Sequence, residues 1–147
     1  MKAIVYHKYG SPDVLGLEEV QEPTPKDNEV LVKVHAASVN SWDWDLLRGT
    51  PFMARLVGGG LLRPKNKILG TDIAGRVEAV GTNVKMLQPG DEVFGELSRC
   101  FLSFGWGGFA ECVCARENSM MLKPASMTFE QAAAVPQVAA LALGGLR

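Results

Sequence analysis

Residues that build metal centres and disulfide frameworks are scarce: the 147-residue chain has three cysteines and two histidines. Three cysteines always leave one unpaired, and Cys112 and Cys114, two apart, would point to one face of a strand and bridge each other poorly. A reducing, cytoplasmic compartment is the simplest fit. Neither C-x-x-C nor H-E-x-x-H occurs, and structural zinc takes about four ligands at close spacing, so no metal site is expected from His7, His35 and the thiols. The absence of G-x-x-x-x-G-K-[ST] excludes a P-loop, and without G-x-S-x-G or a nucleophile to partner the histidines, Ser–His hydrolysis has no support.

Charge is balanced, with 15 basic against 16 acidic side chains, and the densest basic run, Arg63-Pro64-Lys65-Asn66-Lys67, is short and interrupted. No nucleic-acid partner is expected. Long apolar runs are missing too. Ala132 to Leu146 is the most apolar stretch, but Pro136 and Gln137 interrupt it and it falls short of the ~20 residues of a membrane span. Before charge returns at Lys8 the N-terminus offers only a brief apolar run, which is not a signal peptide. A soluble protein without a membrane partner follows as the expectation.

What is abundant is glycine and proline, 16 and 8, in a chain that is 47% apolar. The apolar fraction and the net charge of −1 exclude disorder. The turn formers exclude a helical bundle and suggest a turn-rich β domain. Lys2–Tyr6 and Leu15–Val20 read as strands around a turn at 9–13, and Glu29–Val39 shows the clearest alternation, with Val30, Val32, Val34 and Ala36 on one face. Ser41–Leu47 suits one or two helical turns ended by Gly49 and Pro51, and Phe52–Lys67 reads as a mobile surface loop. Further strands are expected at Asp72–Val80, Glu92–Glu96 and Phe109–Ala115. Their spacing indicates a small, partly open barrel rather than βαβ units.

Thr128-Phe129-Glu130-Gln131 is a capping box opening an apolar helical segment that continues past Pro136. That segment is apolar all round, so it requires cover on every side. The chain is therefore expected to stop inside an element that leads into a second domain, or to pack on another copy. Gly105-Trp106-Gly107-Gly108-Phe109-Ala110 matches G-x-G-x-x-A, but it opens an alternating run instead of a helix, and reads as a turn. Asp43 and Asp45 lie on different sides of a helix, so a turn-capping Asp43 and a solvated Asp45 are the simplest roles. Trp42 and Trp44 read as packing residues, and Asn40, where the chain turns after Ser38-Val39, as a turn former.

Several of these motifs occur together and in order. Gly70-Thr71-Asp72-Ile73-Ala74-Gly75-Arg76-Val77-Glu78-Ala79-Val80-Gly81 followed by Pro89-Gly90-Asp91-Glu92-Val93 resembles the catalytic-domain core of the medium-chain dehydrogenase/reductase superfamily. So do Met1-Lys2-Ala3-Ile4 with Tyr9-Gly10, Val30-Leu31-Val32-Lys33-Val34 leading to Ser38-Val39-Asn40, Gly108-Phe109-Ala110-Glu111, and Glu130 through Pro136. The match is to the zinc-independent quinone oxidoreductase branch, which includes the zeta-crystallin-like reductases. Zinc alcohol dehydrogenases carry a ligand cysteine where Asn40 stands and a ligand histidine where Thr71 stands, and both are missing here.

The resemblance implies a mainly β, GroES-like barrel over residues 1–125. Residues 126–147 then start the helical connection to a Rossmann domain that lies outside this sequence. It implies hydride transfer from NADPH, without zinc, to a quinone or electron-poor alkene, with this portion alone inactive; a homodimer is a separate expectation. By the same resemblance Asn40 is catalytic through its amide NH₂, and Asp43 fixes the turn that aims it. Ser41, Trp42 and Leu141 flank the cofactor, and Asp45 and Thr71 face the substrate. Two positions depart from the branch: Asp45 replaces a common tyrosine and Leu141 a common threonine. The rival expectation is a stand-alone GroES-like binding or assembly module without chemistry, its terminal helix buried in a homo-oligomer.

Overall fold

The structure, a computed structural model, describes residues 1–57, 60–97 and 107–146. Cys100, Gly58, Gly59 and the Gly105-Trp106 half of the glycine string lie outside the described residues. Two antiparallel sheets make up the β portion. Strand β1 (Lys2–Tyr6) pairs with β2 (Leu15–Glu19) as a hairpin. The larger sheet contains β3 (Glu29–Ser38), β4 (Asp72–Val80), β5 (Glu92–Glu96), β6 (Cys112–Arg116) and β7 (Met120–Leu122), in the order β6-β3-β4-β5-β7. Bridges from Ala3 to Ala110 and from Val5 to Ile68 join the hairpin to the segments entering β6 and β4. The result is the mainly β, partly open barrel that the sequence pattern implies.

Alternation explains the core. Val30 and Val32 of β3 are fully buried against Ile73 and Val77 of β4, Val93 of β5 and Val113 of β6. Each such side chain contributes about 1.5–3 kcal/mol of burial. Where β3 shifts register between Val34 and Ala36, β4 presents Gly75, and a Cβ there would stand 2.1 Å from the Lys33 carbonyl oxygen. Glycine thus lets the two longest strands close up at the irregularity.

Among the described residues there are four short α-helices: α1 (Ser41–Arg48), α2 (Phe52–Val57), α3 (Phe129–Ala133) and α4 (Pro136–Gly145). Leu46 and Leu47 of α1 are buried with Tyr6 and Leu69, which holds α1 against the hairpin. Ala132 and Ala133 of α3 are buried against Ala74 and Phe94, which seats α3 on the sheet. The capping box forms as expected: Thr128 Oγ1 accepts from the Gln131 amide at 3.2 Å, and Gln131 Oε1 accepts from the Thr128 amide at 3.0 Å.

Three local expectations need correction. Regular pairing of the strand placed at Phe109–Ala115 covers Cys112–Arg116, because residues 109–111 bond to β1 instead: the Ile4 amide donates to the Phe109 carbonyl, and the Glu111 amide to that of Lys2. Strand β7 was not anticipated, since three residues carry no alternation to read. The loop expected over Phe52–Lys67 begins with α2 and is tied to the hairpin. The Tyr9 hydroxyl donates to the Gly60 carbonyl at 2.6 Å, while Arg55 donates to the Gly49 carbonyl and sits 5.0 Å over the Tyr9 ring.

Candidate functional site

The site forms where β3 ends and β4 begins. Antiparallel register places Ser38 opposite Asp72, so the turn residue Asn40 comes beside Thr71. Asn40 is the N-cap of α1, and its amide N–H donates to Asp43 Oδ2 at 2.8 Å. The other Asp43 oxygen accepts from the Gly70 amide at 2.9 Å. One carboxylate therefore ties the first turn of α1 to the residue preceding Thr71, and it does so 3% exposed. Burial pushes the Asp43 carboxyl above its ordinary range, and the two backbone donors pull it back.

Held in this way, Asn40 directs its side-chain amide at two hydroxyls. Nδ2 donates to Ser38 Oγ and to Thr71 Oγ1, each at 3.3 Å. Thr71 is buried, whereas Ser38 and Asn40 are half-buried and alternate along the chain with the exposed Val39 and Ser41. Beneath them lies Asp72, with no exposed surface. Its Oδ2 accepts from the Gln137 amide in the first turn of α4 at 3.0 Å. The α4 N-cap, Val135, offers no side-chain acceptor, so a carboxylate 65 residues away caps this helix.

Among the described residues the other oxygen, Oδ1, like Gln137 Oε1, is buried without a hydrogen-bond partner. Burial therefore raises the Asp72 carboxyl despite the Gln137 amide and the nearby Asn40 and Thr71 side chains, and Glu96 adds to the rise. The folded chain holds this proton to higher pH than the unfolded chain does. As pH climbs, the unfolded state releases its proton first and stability falls across that interval. Asp72→Asn keeps an acceptor for Gln137 and carries no charge to bury. Its urea midpoint is expected to exceed that of the unsubstituted chain at pH 7, with the gap closing towards pH 3. A gap of opposite sign, or one independent of pH, refutes this.

Of the residues singled out by sequence, the structure brings together Asn40, Asp43 and Thr71. Ser41 is exposed, and Trp42 and Asp45 are half-buried along α1, with Asp45 two residues past Asp43. Leu141 is 70% exposed, one helical turn beyond Gln137. Sequence reasoning missed Ser38, Asp72 and Gln137. Ser38 stood beside Asn40 in the motif, but only the β3–β4 register shows what it faces. Asp72 read simply as the first residue of a strand.

Hydroxyls, an amide and a buried carboxyl suit hydrogen bonding to an uncharged oxygen better than they suit zinc, which favours thiolate and imidazole. Among the described residues one group has metal-ligand spacing: Glu22, Glu78 and Cys112, whose ligand atoms lie within 4.8 Å of one another. It is remote, since Glu78 lies about 20 Å along β4 from Asp72. Burial and the adjacent carboxylates push the Cys112 thiol up to about 11, and Lys33 pairs with Glu78. No described helix is long and apolar enough to cross a membrane.

The chain is similar to known proteins. The alcohol dehydrogenase GroES-like domain matches residues 26–125. Quinone oxidoreductase from Sus scrofa is 39% identical over 92% of this chain and 37% of its own length. The 2-methylene-furan-3-one reductase of Solanum lycopersicum is 38% identical over 99% of this chain and 37% of its own. Among solved structures, Escherichia coli quinone oxidoreductase complexed with NADPH superposes with a TM-score of 0.82 at 29% identity, covering all of this chain and 40% of that one. The chain thus spans about two fifths of the length of these relatives. It belongs to the alcohol dehydrogenase GroES-like domain family, and its curated and structural neighbours are quinone oxidoreductases of the medium-chain dehydrogenase/reductase superfamily.

Proposed function

We propose that this chain is the N-terminal catalytic portion of a zinc-independent, NADPH-dependent reductase of quinones or enones. In this reading residues 1–125 form the catalytic domain, and 126–147 start the connection to a dinucleotide-binding domain. The observation that carries it is the Asn40 centre, where a half-buried amide and two hydroxyls meet at the end of β3 and β4, fixed by Asp43. The donor set fits the nicotinamide end of the cofactor with a carbonyl substrate beside it. Asn40 and Ser38 are reachable, and their chain neighbours Val39 and Ser41 leave open surface for a flat ring.

NADPH, when bound, supplies a hydride to a carbon conjugated with the substrate carbonyl. This chain's residues act on the other end of that conjugated system, where negative charge grows on oxygen. Donors already aimed at the oxygen stabilise that charge without reorganising. Asp43 positions Asn40, Thr71 supports it from below, and Ser41, Trp42 and Leu141 border the ring. Asp45 and Leu141 lack the hydroxyls common in the branch, and Thr71, expected to face the substrate, is 2% exposed, so the hydrogen bonding falls to the Ser38–Asn40 pair.

In the full-length protein, Asn40→Ala is expected to lower the NADPH-dependent reduction rate of a quinone or enone by about 10–100-fold. An unchanged rate removes Asn40 from the mechanism. A protein that reduces neither substrate and fails to bind NADPH in a titration refutes the reductase reading. A binding module gains some support from the exposed Val138, Leu141 and Leu143 of α4. That reading requires self-association with no NADPH bound, whereas a homodimeric reductase binds the cofactor.

A further inference from the structure

The hydrogen bonds around Asn40 can be counted to their ends. Nδ2 carries two hydrogens, and they go to the Ser38 and Thr71 hydroxyls. A hydroxyl that accepts in this way must send its own proton to a further acceptor. Thr71 has one at hand: it is buried beside the Asp72 carboxylate, and its hydroxyl is among the groups that favour the ionised form of that carboxylate. Ser38 has none. Among the described residues its hydroxyl donates to no protein group, and the free oxygen on its register partner, Asp72 Oδ1, remains unpartnered. Ser38 is half-buried rather than sealed, so an incoming molecule can reach it. Accepting from Asn40 also polarises the Ser38 O–H and strengthens it as a donor.

We propose that the Ser38 hydroxyl is a catalytic residue of the reductase: it donates the hydrogen bond to the substrate's carbonyl oxygen, and Asn40 holds it in that orientation. The inference rests on the reductase reading and names the group that meets the substrate. The Asn40 amide is directed inward, at the two hydroxyls and the Asp72 carboxylate beside them, so Asn40 acts through Ser38. Thr71 is too deeply buried to share the task. Oxygen, as ketone, enone or quinone carbonyl, is the acceptor this single neutral donor suits, whereas a carboxylate substrate would lack a cationic partner among Ser38, Asn40 and Thr71.

The test uses the full-length protein with an enone and NADPH. Ser38→Ala is expected to lower kcat by about 10–100-fold while leaving the KM for NADPH unchanged. Ser38→Thr keeps the hydroxyl and is expected to retain most of the rate, whereas Ser38→Val, of the same shape, loses it. This pair isolates the hydroxyl if alanine perturbs folding. A second readout needs no turnover. The infrared carbonyl stretch of an enone bound without cofactor is expected to shift to lower frequency in the unsubstituted and Ser38→Thr proteins and to return towards the free value in Ser38→Ala. If Ser38→Ala or Ser38→Val keeps both the rate and the shifted stretch, the role of Ser38 is overturned while the reductase reading stands. If the unsubstituted protein reduces neither quinone nor enone, both fall together.

Discussion

Asp43→Ala is expected to destabilise the folded chain by about 3 kcal/mol and to release α1 from the entry to β4. The alanine strands two amide hydrogens that have no second acceptor, those of Asn40 and Gly70. A buried donor left unpaired costs about 1–3 kcal/mol. The Gly70 bond is buried and lies toward the upper end, while the Asn40 amide is part-buried and regains some solvent. Asp43→Asn is expected to cost roughly half as much, because an amide keeps one acceptor but turns its NH₂ at the other donor. The comparison with Asp72→Asn is informative: the same exchange of atoms carries opposite signs, since each Asp43 oxygen accepts from a backbone amide, whereas one backbone amide, that of Gln137, donates to Asp72. Urea unfolding measures both variants, and a lowered midpoint at unchanged slope identifies a stability loss. An Asp43→Ala midpoint equal to that of the unsubstituted chain would falsify the linchpin role.

The frame was legible in the sequence wherever a segment was long enough to show a period. β3 was placed within a residue because its ten residues carry Val and Ala in alternation, and β4 because Gly70 and Gly81 bound its nine. The α3 start was marked by side chains whose capping chemistry is local, three residues apart. β7 and α2 were missed for the converse reason, with three and six residues too few for either period to repeat. The site divides along the same line. Local pattern gave Asn40 as a turn former and Asp43 as a turn cap, and only the family resemblance made them site residues. Ser38, Asp72 and Gln137 owe their roles to register and to a contact across 65 residues, which no local pattern encodes. Asp43 was legible as a cap and illegible as a clasp, since its second partner, Gly70, is 27 residues away.

That second partner sets the largest effect on the site itself. Gly70→Ala is expected to cost 3 kcal/mol or more, on the order of a core cavity, and to reduce activity in the full-length protein at least as severely as Asn40→Ala. Gly70 sits at φ +94°, where a side chain is strained by about 1–3 kcal/mol. Strain alone would be survivable, but the surroundings leave nowhere to relax. The new Cβ would lie 2.8 Å from the Phe109 backbone nitrogen, 2.7 Å from Phe109 Cδ1 and 3.0 Å from the Gly108 carbonyl carbon. Two of these are backbone atoms fixed by the bonds from the Gly108 amide to the Gly70 carbonyl and from the Phe109 amide to the Leu69 carbonyl. Relief therefore requires 108–109 to move away, which breaks both bonds, or Gly70 to rotate, which withdraws its amide from Asp43 and carries Thr71 with it. Either route disturbs the distance between Thr71 and Asn40. Hydrogen exchange separates them: the first exposes the Gly108 and Phe109 amides, and the second exposes those of Gly70 and Asn40. A Gly70→Ala chain with unchanged midpoint and protection at all four amides would show that this junction yields, and that the site does not depend on its closeness.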